Sequence, residues 1–337
     1  MAAPIDLDDL RAAWRALGGS REEEGWKTIA VTNAGPCVVL AGRRLPGDEE
    51  AVLVGFRNAR TVSQLPQGHG FEVLKLVSAP MGAGRCWLAL ARRRGGSEEL
   101  FAMMAEDLVR LLESSAAQDE DALFHQFLSR IRAWQDFMDR HREGVLSPEA
   151  ELGLFGELVV IEHMIDAGMQ ALNVLCAWQG PLDGLQDFQL GSGAIEVKTT
   201  LSARGFPATI TSLEQFDESL CQPLFLAAVR LSINSSGMTL PAMAESLRER
   251  LQESQSALDL FEVRLLQAGL LYTVPELYTR RFLHSSTAIL PVADDFPRLT
   301  RVHVHPAIRK VRYEIDVSLA GVSDVGLSRA LELLGII

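Results

Sequence analysis

The spacing of apolar positions changes repeatedly along the chain, and each change marks an expected element. From Leu7 to Leu17 apolar side chains recur at helical spacing. The runs Trp26–Thr32, Cys37–Ala41, Ala51–Phe56, Phe71–Val77 and Cys86–Ala91 are short and apolar, with Gly, Pro and Asn breaks about every ten residues. That rhythm predicts an antiparallel sheet. Two helices are expected next. Glu98–Leu112 carries Leu100, Met103, Met104, Leu108 and Leu111 on one stripe, and Ala122–Arg140 carries Phe124, Phe127, Leu128, Ile131, Trp134 and Phe137. The small, polar stretch Ser114–Asp121 between them reads as a hinge.

A new unit starts at Ser147, an N-cap followed by Pro148 at the first helical position and by Glu149 and Glu151 in the first turn. This helix should run to about Ala167 and stop at Gly168. A strand near Val174–Trp178, a hairpin, an extended piece at Ala208–Thr211, a helix capped by Ser212 and an apolar strand Pro223–Leu231 follow. Beyond lie a helical stretch, Pro241–Ala268, and strand-like runs at Tyr278–His284, Thr287–Pro291, Arg301–His305 and Val311–Leu319. A last helix is expected near Leu327–Leu334. The expectation is an α/β chain (α+β overall) with a β-rich region over 1–143, an αβββαβ core over 144–235 and an α+β region over 236–337.

The hairpin, Leu185–Thr200, is where the pattern is most informative. With Ser192-Gly193 as the turn, Gln189 pairs with Glu196, Phe188 with Val197 and Asp187 with Lys198. Alternation then puts Phe188, Leu190, Ile195 and Val197 on one face, and Asp187, Gln189, Glu196 and Lys198 on the other. A one-residue slip would mix the two sets. Two carboxylates and an ammonium therefore converge beside a buried sheet face. Hard oxygen donors so placed can hold Mg²⁺, and a nearby Lys can orient a water or offset charge developing on a phosphate. As a bare string the pattern is weak, since an acid two residues before some Lys arises by chance about half the time. On the string alone a polar sheet face with one ion pair is the simpler reading, and the strand register is what favours a site.

Bulk properties narrow the setting. Apolar content of 47% and charged content of 23% in 337 residues are those of an ordinary globular chain. No apolar run reaches the roughly 18 residues of a membrane span, and the acidic amino terminus is unlike a signal peptide. Four well-separated cysteines, Cys37, Cys86, Cys176 and Cys221, fit a reducing, cytoplasmic setting. A net charge of −12 argues against a protein that coats nucleic acid non-specifically, but leaves room for a local basic patch. Only four residues are Lys, and one of them, Lys198, stands inside the hairpin's apolar pattern.

A further acid strengthens the site. Glu157, in GLFGEL, lies beside Leu154 and Leu158 on the apolar stripe of the helix after Ser147. An acid on a buried side is costly unless paired or bound to a cation; the alternative is an edge position reaching solvent. Gly153 and Gly156 each weaken the helix, which suggests close backbone approach.

At these residues the sequence resembles the PD-(D/E)xK nuclease superfamily over about 85 residues, Ser147 to Leu231, whose restriction-endonuclease-like core has the expected element order. GLFGEL, WQGPLDGLQDF and IEVKTT look like a bacterial family within it. The resemblance implies Asp187 and Glu196 as metal ligands, Lys198 as the catalytic lysine and Glu157 as an added helix acid. It also implies Mg²⁺, with Mn²⁺ able to substitute, and hydrolysis of DNA phosphodiesters in restriction, defence or repair. Asp187 follows Gln186 where the superfamily motif has Pro, so Asp183, after Pro181-Leu182, is a rival. Gln215, opening the helix expected after Ser212, matches a polar residue that members often place near water or phosphate, and Thr199 and Thr200 would be further phosphate contacts; for all three a plain structural role is the alternative. A nuclease-like subunit that binds DNA or a protein partner without cutting, or pairs with its own copy, is the alternative; a different phosphoester substrate is a third. His303 and His305 in RVHVH would share a strand face but lack a third ligand. Arginine clusters at Arg43-Arg44, Arg92–Arg94, Arg280-Arg281 and Arg309-Lys310-Arg312 read singly as solvated turns and together as a DNA track.

Overall fold

The computed structural model describes residues 7–19, 24–57, 65–68, 70–76, 85–115, 119–140, 146–182, 184–219, 221–270, 275–293 and 295–336. The chain divides into two compact units, Met1–Gly144 and Val145–Ile337.

The first unit opens with α1 (Leu7–Leu17), followed by β1 (Gly25–Ala34), β2 (Cys37–Leu45), β3 (Glu49–Phe56), β4 (Phe71–Lys75) and β5 (Cys86–Arg92). These strands form one antiparallel sheet in the order β1-β2-β3-β5-β4. Residue 77, expected to end the fourth run, and residues 116–118 of the expected hinge lie outside the described residues. Helices α2 (Glu98–Ser114) and α3 (Glu120–Arg140) close the unit. Asp107, buried on α2, takes hydrogen bonds from Arg130 (3.0 Å) and Trp134 (2.7 Å) of α3. The pair of helices is thereby pinned through a charge that would otherwise be costly to bury.

The second unit begins with α4 (Pro148–Asp166), capped as expected by Ser147, whose hydroxyl accepts from Ala150 N. Then come α5 (Ala171–Ala177), β6 (Phe188–Leu190), β7 (Gly193–Thr200), β8 (Pro207–Ile210) and β9 (Leu224–Met238). Helices α6 (Leu240–Leu251) and α7 (Gln255–Gln267), strands β10 (Phe282–Pro291) and β11 (Tyr313–Asp316), and α8 (Leu327–Leu333) complete it. The main sheet runs β10-β9-β7-β6. Its β7–β9 pair is parallel and the other two pairs are antiparallel; β8 and β11 form a separate two-stranded ribbon. The overall class is α/β, as expected.

Strand β9 is apolar without alternation from Leu224 to Val229 because both of its faces are covered. Phe225, Ala227 and Val229 join the large core with α4, while Leu224, Leu226 and Ala228 face a smaller core under the β8–β11 ribbon. Residues 236–337, read above as a region of their own, supply Leu247, Phe261, Phe282 and Leu331 to the same core as Leu158 and Val197.

Several local expectations change, and the runs expected at Tyr278–His284 and Thr287–Pro291 give the single strand β10. Ala171–Ala177 is helical, because Val174, Leu175 and Trp178 fall at helical spacing on the core beside α7. No helix follows Ser212: its hydroxyl accepts from Gln215 N (3.3 Å), but Asp217 then takes Ser219 N and Oγ, which diverts the backbone into turns. Arg301–His303 is a short 3₁₀ turn rather than a strand.

The two glycines of α4 behave differently. A methyl group on Gly156 would collide with Thr199 Oγ1 and stand 3.0 Å from Thr199 Cβ, so this glycine brings α4 against β7. At Gly153 nothing lies within 4 Å. Gly153→Ala should therefore raise stability by up to about 1 kcal/mol. Gly156→Ala should lower it by about 1–3 kcal/mol. Denaturant unfolding of the two variants checks both signs.

Candidate metal-dependent site

The hairpin's faces are as the alternation predicts, but its register is two residues tighter. Phe188 pairs with Ile195, Gln189 with Ala194 and Leu190 with Gly193. The turn is Gly191-Ser192, with Gly191 at φ 60°, which glycine adopts without strain and which the first position of a II′ turn requires. A shift of two leaves every side chain on its expected face. Phe188, Leu190, Ile195 and Val197 enter the large core, and Ala194 enters the smaller one, on the face that Glu196 and Lys198 share. The change moves Asp187 opposite Glu196 instead of Lys198. The Asp187 N–H hydrogen-bonds the Glu196 carboxylate, and Asp187 Oδ2 accepts from Val197 N at 2.7 Å.

Four charged groups meet at this point. Lys198 Nζ donates to Glu196 Oε1 at 2.6 Å, with only 3% of the Glu196 side chain and 16% of Lys198's exposed. Opposite Lys198 on β9 stands Ala228, whose small side chain leaves room for the long one. From α4, Glu157 Oε2 accepts from Trp178 Nε1 at 2.6 Å. The chain between Trp178 and the hairpin turns tightly, with Gln179 N and Gly180 N both donating to Asp187 O. A Cβ on Gly180 would stand 2.5 Å from Glu157 Oε2 and 3.1 Å from Asp187 Oδ1. Those two oxygens therefore flank one empty corner of the backbone, which only glycine leaves open.

Burial raises all three acids, and repulsion from neighbouring carboxylates adds to it at Glu157 and Glu196. Desolvation, then the Asp187 charge, pushes Glu157 well above the ordinary carboxylate range against the pull of the Trp178 hydrogen bond. Desolvation likewise raises Asp187, opposed by Lys198 and Val197 N. Glu196 is pushed up to about 8 by desolvation and by Asp187, despite Lys198. Burial alone would lower Lys198, but the charges of Glu196, Asp187 and Glu157 outweigh it and hold the ammonium above its usual value. Glu157 and Asp187 nonetheless keep part of their surface accessible, so the cluster opens to solvent.

Among the described residues no three His, Cys, Asp or Glu side chains are placed to hold a metal ion together. The donor set still fits Mg²⁺ or Mn²⁺. Such hard cations take one or two carboxylates and complete their shell with water and phosphate oxygens. Asp187 and Glu196 could supply the two carboxylates, and a cation there would compete with the protons that burial favours on these acids.

Other candidates are placed elsewhere. Gln215 Oε1 accepts from Thr211 N at 2.9 Å and closes that turn. Thr199 packs against Gly156 with its Oγ1 buried and without a hydrogen-bond partner, and Thr200 Oγ1 accepts from Ser202 N. Asp183 lies outside the described residues. His303 Nδ1 accepts from Thr300 N and His305 Nδ1 from Ala307 N, so RVHVH forms turns rather than a shared strand face. Trp178 and Gly180 were not singled out from the sequence, although both stand in the WQGPLDGLQDF segment; Gln186, beside Asp187, donates to Glu214 O at 3.3 Å.

A family model described as "Putative PD-(D/E)XK family member, (DUF4420)" matches residues 10–318 and so spans both units. Comparison with curated proteins and with solved structures found no match. Among the described residues no helix is long and apolar enough to cross a membrane.

The elevated Glu196 has a consequence for stability. Its folded pKa of about 8 lies above the ordinary 4.5, so its contribution is full below about pH 4.5 and is lost as pH rises through 8. Without added cation, Glu196→Gln should lose less stability than wild type between about pH 5 and 9, by on the order of a few kcal/mol. Saturating Mn²⁺ should narrow the gap by stabilising wild type at the higher pH. Denaturant melts at the two pH values, with and without Mn²⁺, provide the measurement.

Proposed function

The chain belongs to this PD-(D/E)XK family, and from that premise we propose that it is a metal-dependent nuclease that hydrolyses DNA phosphodiester bonds. The observation that carries the proposal is the meeting of Asp187, Glu196 and Lys198 at one end of the β6–β7 hairpin, with Glu157 of α4 across the Gly180 corner.

Asp187 and Glu196 would hold the divalent cation that PD-(D/E)XK nucleases usually use, Mg²⁺ in the first instance. Bound there, such a cation lowers the pKa of a water and neutralises charge building on the phosphate. Val197 N–H and Trp178 Nε1–H fix the orientation of Asp187 and Glu157, so the oxygens face the site before any ligand arrives. Lys198 acts as a cation rather than as a base. Three neighbouring acids keep its proton in place, so its ammonium can donate to a water or a phosphate oxygen and offset the charge that develops there. Its hydrogen bond to Glu196 Oε1 holds that ammonium at the site.

Calorimetric titration with Mg²⁺ or Mn²⁺ and a plasmid-nicking assay test the proposal together. Wild type should bind the cation and nick DNA. Lys198→Ala should keep cation binding and lose activity by at least about a hundredfold, whereas Asp187→Ala should lose both. A wild type that neither binds metal nor cuts DNA, or a Lys198→Ala protein that cuts normally, would overturn it. DNA binding retained without any cleavage would instead identify a nuclease-like binding subunit.

A further inference from the structure

The stretch from Pro297 to Arg312 carries Arg298, Arg301, Arg309, Lys310 and Arg312 and no Asp or Glu, in a chain of net charge −12. Its five cations divide into two sets. Arg298 and Arg301 are structural: they pair with Glu218 (2.8 Å) and Glu214 (2.7 Å). Arg309, Lys310 and Arg312 are exposed, and among the described residues none of the three forms an ion pair. In the other arginine clusters Arg93 and Arg94 are exposed and, among the described residues, form no ion pair, and the remaining members are engaged. Arg43 and Arg92 share Glu50, Arg44 pairs with Glu72, Arg280 pairs with Glu151, and Arg281 donates to Gly237 O.

Both ends of this loop are anchored in the ribbon that packs on the sheet face carrying Glu196 and Lys198. At its start, Leu299 N donates to the Tyr313 hydroxyl at 3.0 Å, and the Tyr313 phenol lies near enough to Lys198 to feel its charge. Tyr313 begins β11, which pairs with β8 and covers the face of the sheet that carries Glu196 and Lys198. A second tie runs from Arg301 to Glu214, whose carbonyl accepts from Gln186, the residue before Asp187. The free cations therefore stand on a loop whose base is built into the ribbon over that face.

We infer that Arg309, Lys310 and Arg312 form a grip for the phosphate backbone of duplex DNA at the entrance to the site. The inference rests on the nuclease reading of that site. Duplex rather than single-stranded DNA is the expected occupant. The stretch from Pro297 to Arg312 contains no Phe, Tyr or Trp, so it offers cations for phosphates but no aromatic platform on which unpaired bases would stack.

Fluorescence anisotropy of a labelled duplex of about 25 base pairs, with EDTA present to prevent cleavage, gives the test. The plot of log affinity against log salt loses roughly 0.9 in slope for each phosphate contact removed. Arg309→Ala/Lys310→Ala/Arg312→Ala should therefore flatten the slope by about 2 to 3 and weaken binding on the order of ten- to a hundredfold at ~0.1 M salt. Melting temperature should not change, because the three side chains are exposed. Lys310→Glu alone should weaken binding in the same direction, while Arg93→Ala/Arg94→Ala, an exposed pair in the first unit, should leave the slope as it is. An unchanged slope in the triple variant, equal loss in the control pair, or a wild type that binds no duplex would overturn the grip. None of those outcomes bears on cation binding by Asp187 and Glu196, which calorimetry reads separately. Loss of binding in the triple variant, beside a Lys198→Ala protein that still cuts, would keep the grip and remove the proposed catalytic site.

Discussion

The second unit is organised around three acids packed against one ammonium at a point that water reaches only in part. Burial disfavours the carboxylate form of Glu157, Asp187 and Glu196, the charge of Asp187 adds to this at the other two, and one ammonium faces all three. Such a group persists only if the surroundings are rigid enough to prevent relaxation. Each acid is accordingly held from a different direction: Asp187 by Val197 N, Glu157 by the Trp178 indole, and Glu196 by Lys198 and the Asp187 backbone. The restraints come from a strand, a helix and a turn, so moving any one acid means moving an element.

The hydrophobic core makes those elements immobile. Trp178 is fully buried beside Phe261 of α7, so the indole that orients Glu157 is itself clamped. Gly156 lets α4 approach β7 closely enough for Glu157 to reach the site, and Gly180 leaves the corner between two carboxylates open. The apolar strand β9 lies beside β7 with both faces covered, which fixes the plane from which Glu196 and Lys198 project. Packing is thus continuous from α7 to the charged cluster, and residues beyond 236 belong to that support.

Much of this was legible in the sequence where periodicity speaks directly. Phe188, Leu190, Ile195 and Val197 separate from Glu196 and Lys198 by alternation alone, so the polar face could be assigned without knowing the turn. The register was less legible, because Gly-Ser-Gly accommodates more than one two-residue turn, and slipping by two preserves every face. Only the fold distinguishes Asp187 opposite Glu196 from Asp187 opposite Lys198. Trp178 and Gly180 act through tertiary contact, one as a donor from the core and the other through the side chain it lacks. Neither property has a periodic signature. Gln215 looked like a helix-opening residue, but Asp217 offered the backbone a competing hydrogen bond and the helix did not form. RVHVH alternates like a strand, yet His303 and His305 each satisfy backbone N–H groups in their own turns, a local choice that alternation cannot reveal.

Charge and position also explain how an acidic chain could receive a polyanion. Beyond about a Debye length, roughly 8–10 Å at physiological salt, a phosphate backbone meets only the nearest charges, so the total of −12 matters less than what lies beside the site. Many arginines, Arg43, Arg92, Arg130, Arg248 and Arg280 among them, already neutralise a carboxylate on their own unit and present little field outward. The loop before β11 differs because its acidic partners are consumed at its base, by Arg298 and Arg301, while the cations nearer its end have none. Its outer part is positive, and the cluster at its foot is acidic. On the function proposed above, this arrangement couples the two ligands in a definite order of dependence. The loop would hold phosphates without the metal, whereas a phosphate would approach Glu157, Asp187 and Glu196 closely only with a cation between them, so on that reading cleavage would depend on the cation even when DNA is already held.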